Sequence, residues 1–112
     1  MIKDEIIIDK KTSDEIIFIE PFLGLPFASN EKDVYAAILE LNAFFFEKGL
    51  VSLHKFYELL GLPDISITWN FGWSDFLADE LGYDWVDISL ERRHKRKYLL
   101  NYRTEPLMGF AK

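Results

Sequence analysis

Val86-Asp87-Ile88-Ser89-Leu90-Glu91 runs into Arg92-Arg93-His94-Lys95-Arg96-Lys97, and Tyr98-Leu99-Leu100-Asn101-Tyr102-Arg103 follows. In the first run Val86, Ile88 and Leu90 alternate with Asp87, Ser89 and Glu91. In the last, Tyr98, Leu100 and Tyr102 alternate with Leu99, Asn101 and Arg103. A period of two belongs to a half-buried antiparallel strand. The stretch therefore predicts a β-hairpin with a basic turn.

Upstream the period changes. Val34, Ile38, Leu41 and Phe45 recur at helical spacing, after an N-cap at Ser29 or Asn30 and before Gly49 as the C′ residue. Tyr35, Leu39, Ala43 and Phe46 form a second apolar stripe on the same helix. Apolar on two faces, this helix is expected to be central and buried on both. A second helix begins at the Ser52 cap and stops at Gly61 and Pro63. Leu53, Phe56, Tyr57 and Leu60 are its buried stripe, with His54, Lys55 and Glu58 outward. A third spans Asp75 to Leu81, capped by Ser74 and closed by Gly82.

At the N-terminus, Ile6-Ile7-Ile8 and Ile16-Ile17-Phe18-Ile19 are β-branched runs around a polar turn, which predicts two short strands or a hairpin. Phe22 to Phe27, with Pro21, Gly24 and Pro26, reads as an ordered linker. Helices and strands are segregated, so the fold class is α+β: helices packed on one face of a small antiparallel sheet, with a C-terminal β-hairpin. The chain reads as a single domain over residues 1–112, with N-terminal strands and linker at 1–28, a helical part at 29–82 and the hairpin at 83–104.

The 112 residues can bury a core without staples, and 49% are apolar. Ten Phe, five Tyr and three Trp raise the expectation of an exposed aromatic patch. Cysteine is absent, which removes disulfides, thiolate metal sites and cysteine nucleophiles. Asp4 and Glu5 sit where a signal peptide would be basic, and the apolar stretch from Ile16 to Ala28 is interrupted by Glu20, Pro21 and Pro26. A cytoplasmic protein is expected.

Charge is divided along the chain. Residues 1–91 hold 6 Lys/Arg against 18 Asp/Glu, net −12; residues 92–112 hold 7 against one, net +6. Such a chain steers towards charged partners, although a solvated acidic surface with one basic turn fits as well.

Catalytic groupings are not evident. His54 and His94 share no metal-ligand spacing, and His94 lies among cations. The six glycines are scattered and form no phosphate loop, and no serine has a nucleophile-elbow context. No catalytic residue, metal site or cofactor is assigned, and an enzyme is not expected.

Two charged groups remain. Asp75, Asp79, Glu80, Asp84 and Asp87 fall in a short window and could imitate a phosphate array for a nucleic-acid-handling protein; the alternative is ordinary acidic surface. Arg92, Arg93, Lys95, Arg96 and Lys97 form a basic turn that could meet phosphates or an acidic partner. The alternative there is a solvated turn that protects a sheet edge, and the −12 body disfavours nucleic acid. Trp69-Asn70-Phe71-Gly72-Trp73 reads first as a loop folded onto the core and second as an aromatic anchor.

The stretch from Leu41 to Pro63 carries a wider likeness. With Gly72-Trp73, Gly82-Tyr83-Asp84-Trp85-Val86-Asp87, Glu105-Pro106 and Gly109-Phe110, it resembles a family of small uncharacterised proteins encoded by phages, prophages and mobile elements of Gram-positive bacteria. The resemblance covers about residues 37–110. It implies a non-enzymatic protein encoded among phage accessory or structural genes, and it carries over no catalytic residue. The expected function is a protein-binding module, in its sharper form an inhibitor of a host nucleic-acid-handling or defence system (anti-CRISPR-like) acting through an acidic face. The partner is then a host or phage protein. A phage assembly or virion-associated role, and nucleic-acid binding through the basic turn, are the alternatives.

Overall fold

The computed structural model describes residues 16–111. The predicted strand at Ile6–Ile8 lies outside the described residues. The class is α+β, as the segregated periods predict, and β5 (Ile88–His94) and β6 (Lys97–Tyr102) form the expected hairpin.

The sheet content is richer than the sequence patterns suggest. β1 (Ile16–Glu20) and β2 (Leu25–Ser29) pair antiparallel across a turn in which Gly24 has φ 71°. The expected linker is thus a strand in its second half. Pro26 is tolerated because β2 is an edge, where a missing N–H costs no ladder bond. β1 also pairs in parallel with β6, Phe18 beside Tyr98, which gives a four-stranded sheet ordered β2-β1-β6-β5. A second sheet joins β3 (Leu50–Ser52), β4 (Phe71–Ser74) and β7 (Leu107–Met108) in the order β3-β4-β7. These three strands have two to four residues each, too few for alternation to be visible.

Each helix forms where its cap residues sit. In α1 (Glu31–Lys48) the Asn30 side chain accepts from the Asp33 N–H at 2.8 Å, and Gly49, at φ 79°, donates to the Phe45 carbonyl. Ser52 caps α2 (Leu53–Leu60) and Ser74 caps α3 (Asp75–Leu81), each accepting from the N–H three residues on. Each such cap is worth about 1 kcal/mol. A 3-10 turn at Ser66–Asn70 leads into β4.

The core lies where α1 and α2 cover the inner faces of the sheets. It contains Phe18, Val34, Leu41, Phe45, Val51, Phe56, Tyr57, Trp73 and Leu100. Phe18 sits 5.5 Å from Phe27 and 5.4 Å from Tyr98, ring centre to ring centre, so three strands of the first sheet meet in one aromatic contact. The second sheet depends on Gly72. A Cβ there would lie 2.3 Å from the Val51 carbonyl oxygen and 2.8 Å from the Phe110 ring.

One core contact is polar. Asn42 is buried, and its amide bonds both backbone groups of Val86, donating to the carbonyl at 2.9 Å and accepting from the N–H at 2.7 Å. This fastens the segment before β5 to α1. Asn42→Ala orphans both groups and is expected to cost about 2–3 kcal/mol. Urea unfolding should show a lower midpoint with an unchanged slope.

Candidate protein-binding site

The surface of α1 beside its buried face departs from expectation. Val34, Ala37, Ile38, Leu41, Asn42 and Phe45 are buried, as their spacing predicts. The second stripe is not: Leu39 is 73% exposed, Phe46 64% and Tyr35 50%, and Ala43 is exposed. The expectation that α1 is buried on both faces is corrected. Helical periodicity identifies two apolar faces, but both sheets and α2 pack against the same one.

Neighbouring elements extend this apolar surface. The Asn42 clamp on Val86 sets Trp85 close to the edge of the stripe, and Trp85 is 52% exposed. At the C-terminal end of α1, the Asp75 N–H donates to the Gly49 carbonyl at 2.8 Å, and Phe45 lies 6.3 Å from Tyr83. These contacts hold α3 at that end of α1, with Phe76 and Leu81 also exposed. Large apolar groups are thus displayed from three segments.

Carboxylates rim them. Asp79, Glu80 and Asp84 are exposed, and Asp75 is exposed beside Gly49. Asp87 does not belong with them: it is half-buried, and the Arg103 guanidinium pairs with it at 3.3 Å. Four of the five predicted acidic residues therefore border the aromatic surface, and the fifth is neutralised. Glu31, Asp33, Glu40 and Glu47 add further exposed carboxylates along α1. The composition raises the expectation of an exposed aromatic patch without placing it on α1, because Tyr35, Leu39 and Phe46 carry a core-like signal.

The basic turn occupies the hairpin tip. Arg92, Arg93, Lys95, Arg96 and Lys97 are all exposed, and Arg93 pairs with Glu91 at 3.1 Å. Tyr98 and Tyr102 point inward rather than towards the tip's solvent side. Next to the tip, Ile17 is 42% exposed, and its N–H donates to the Arg96 carbonyl at 2.9 Å.

Compared with known families, residues 1–111 match the model described as a family of unknown function (DUF6353). The chain belongs to this family. The match bears out the expected membership of an uncharacterised family and takes in the N-terminal residues that the resemblance left out. No curated protein and no solved structure gives a match.

Two further clusters in this DUF6353 member bear on chemistry. Glu20 is completely buried, and its carboxylate accepts from the Tyr57 and Tyr102 hydroxyls and from the N–H groups of Phe22 and Leu23 at 3.0 and 3.1 Å. Four donors occupy its lone pairs, so it ties β1 to α2 and β6 and has no acceptor site left for a substrate proton. Burial, reinforced by the Glu20 carboxylate, raises both tyrosine pKa values.

The second cluster corrects the reading of His54 as outward. Its ring stacks on Trp69 at 3.8 Å, its Nε2 lies 2.9 Å from Asp64, and its side chain is only 14% exposed. Within the Trp69–Trp73 segment the two readings divide: Trp73 is buried and donates to the Thr104 carbonyl at 2.8 Å, whereas Trp69 is 55% exposed. Among the described residues no group of three or more His, Cys, Asp or Glu is placed to hold a metal ion, and no helix is long and apolar enough to cross a membrane.

Proposed function

We propose that the chain is a non-enzymatic protein-binding module whose binding surface is the outer face of α1 together with Trp85 and α3. The observation that carries this reading is the exposed Tyr35–Leu39–Phe46 stripe bordered by Asp79, Glu80 and Asp84. Contiguous exposed aromatic and aliphatic groups are unfavourable in water, and in proteins they mark interaction sites. The carboxylate rim selects a partner that is basic around an apolar centre.

A basic groove built for nucleic acid is such a surface. Carboxylates at Asp79, Glu80 and Asp84 would take the places of phosphates, and the aromatic groups would exclude water behind them. The resemblance to phage and mobile-element proteins supports a partner in host defence or nucleic-acid handling, inhibited by occlusion of its groove.

The test is capture of partners from bacterial lysate, nuclease-treated, on wild-type protein and on two variants, Leu39→Lys and the Asp79→Lys/Glu80→Lys double variant. The wild type should retain a basic protein that is released as salt rises, because exposed charge pairs are screened over about 10 Å at 0.1 M. Each variant should retain at least about tenfold less, the effect of roughly 1.4 kcal/mol at the interface. Equal recovery on all three removes this face as the binding surface.

A further inference from the structure

The protein's own surface supplies the complement of this site, and we infer that a second copy of the chain occupies it. The inference rests on reading the α1 face as a protein interface and names its occupant.

The two charged regions lie at opposite ends of α1. At the N-terminal end Ser29, next to the Asn30 cap, pairs with Ile16 of β1, and the adjoining Ile17 pairs with Lys97 of the basic tip. At the C-terminal end Gly49 receives the Asp75 N–H, and α3 carries Asp79 and Glu80. Eighteen residues separate these ends, about 27 Å at 1.5 Å per residue. That distance is several screening lengths at physiological salt, so the poles cannot neutralise each other within one molecule.

Between two molecules they can. When two copies lie side by side with their α1 helices antiparallel, the basic tip of each meets the acidic α3 region of the other. The arrangement has two-fold symmetry, the commonest form of closed assembly. The exposed stripes of Tyr35, Leu39 and Phe46 then face each other across the axis and leave water together. Charge is therefore complementary at both ends and apolar character at the centre. The same face cannot hold a nucleic acid, whose phosphates the surrounding carboxylates repel. A foreign partner with a basic groove would compete with the second copy.

Charge exchange tests the pairing. Light scattering after size exclusion is recorded at low and high salt for the wild type, for Asp79→Lys/Glu80→Lys, for Arg92→Glu/Arg93→Glu and for an equimolar mixture of the two variants. The wild type should be a dimer whose dissociation constant rises at least about tenfold with salt. Each variant alone, having two like poles, should be monomeric. The mixture should recover the dimer, because each mixed pair restores both opposite-charge contacts, and Leu39→Lys should abolish it in every background. A folded circular-dichroism spectrum for each variant excludes loss of structure as the cause. A wild type that remains monomeric at several hundred micromolar, a dimer indifferent to Leu39→Lys, a mixture that stays monomeric, or retention of a nucleic-acid duplex through Arg92 and Arg93 each overturns the inference. The capture experiment is read separately: a monomer that still retains a partner in a Leu39-dependent way loses the second copy but keeps the interface.

Discussion

Glu20→Ala is expected to lower the unfolding free energy by about 3–5 kcal/mol, the usual cost of leaving the partners of a buried charge unpaired. The Glu20 carboxylate accepts four hydrogen bonds inside the core. Its removal strands the Tyr57 and Tyr102 hydroxyls and the N–H groups of Phe22 and Leu23, and it opens a cavity beneath β1. Small domains have about 5–15 kcal/mol in all, so this one substitution would remove a large share. Glu20→Gln is not a rescue, because its NH2 group places donors against donors. Tyr57→Phe and Tyr102→Phe each remove one charge-assisted bond and should cost about 1.5–3 kcal/mol. Urea unfolding at neutral pH measures all four variants, and the two phenylalanine variants keep the test informative if the alanine variant does not fold. Unfolding free energies within about 0.5 kcal/mol of wild type would show that the carboxylate does not join β1, β6 and α2 as described.

The same cluster sets a sharp alkaline limit. A free tyrosine loses its proton near pH 10. In the folded protein Tyr57 and Tyr102 hold theirs to higher pH, because burial and then the nearby Glu20 carboxylate oppose a phenolate. The sign follows from proton counting: above about pH 10 the unfolded chain binds fewer protons than the folded one, so stability falls as pH rises. The stabilisation is complete below pH 10 and is lost progressively above it. Two such groups give a slope of about 2.7 kcal/mol per pH unit, and one gives about 1.4. Urea unfolding between pH 8 and 11 should therefore show a steep loss of stability for wild type, and a loss shallower by about 1.4 kcal/mol per pH unit for Tyr57→Phe. Equal slopes in the two proteins would contradict the account.

The parts of the fold that were legible in the sequence are those fixed by neighbours along the chain. Asn30 and Gly49, Ser52 and Gly61, and Ser74 and Gly82 mark the ends of the helices because a cap needs only residues within a turn of itself. The hairpin was legible because its alternation extends over both strands. The parallel pairing of β1 with β6 joins residues about eighty positions apart, and no local pattern encodes it. Glu20 read as an interruption of an apolar run, while its partners Tyr57 and Tyr102 lie 37 and 82 residues away.

The candidate site divides in the same way. Its carboxylates were visible as a cluster, since charge is exposed unless a specific partner removes it, as Arg103 does for Asp87. Its aromatic centre was misplaced in the core, because Leu39 and Phe46 look the same in sequence whether their face meets a sheet or water. An apolar helix face without a partner among the described residues is the observation that separates an interface from a core, and it exists only in three dimensions.

Alkylation of a single cysteine at Leu39 tests this centre most directly. The chain has no cysteine of its own, so Leu39→Cys and the control Ser66→Cys, exposed on the 3-10 turn away from the α1 outer face, each carry one reactive group. Rates with a maleimide are compared for dilute purified protein and for the same protein in concentrated nuclease-treated bacterial lysate at low salt. A protected Leu39→Cys, alkylated at least about tenfold more slowly in lysate and recovering as salt is added, beside an unchanged Ser66→Cys, is the result expected of a binding surface. Equal rates for Leu39→Cys in the two conditions would contradict it and leave the outer face of α1 as ordinary solvated surface.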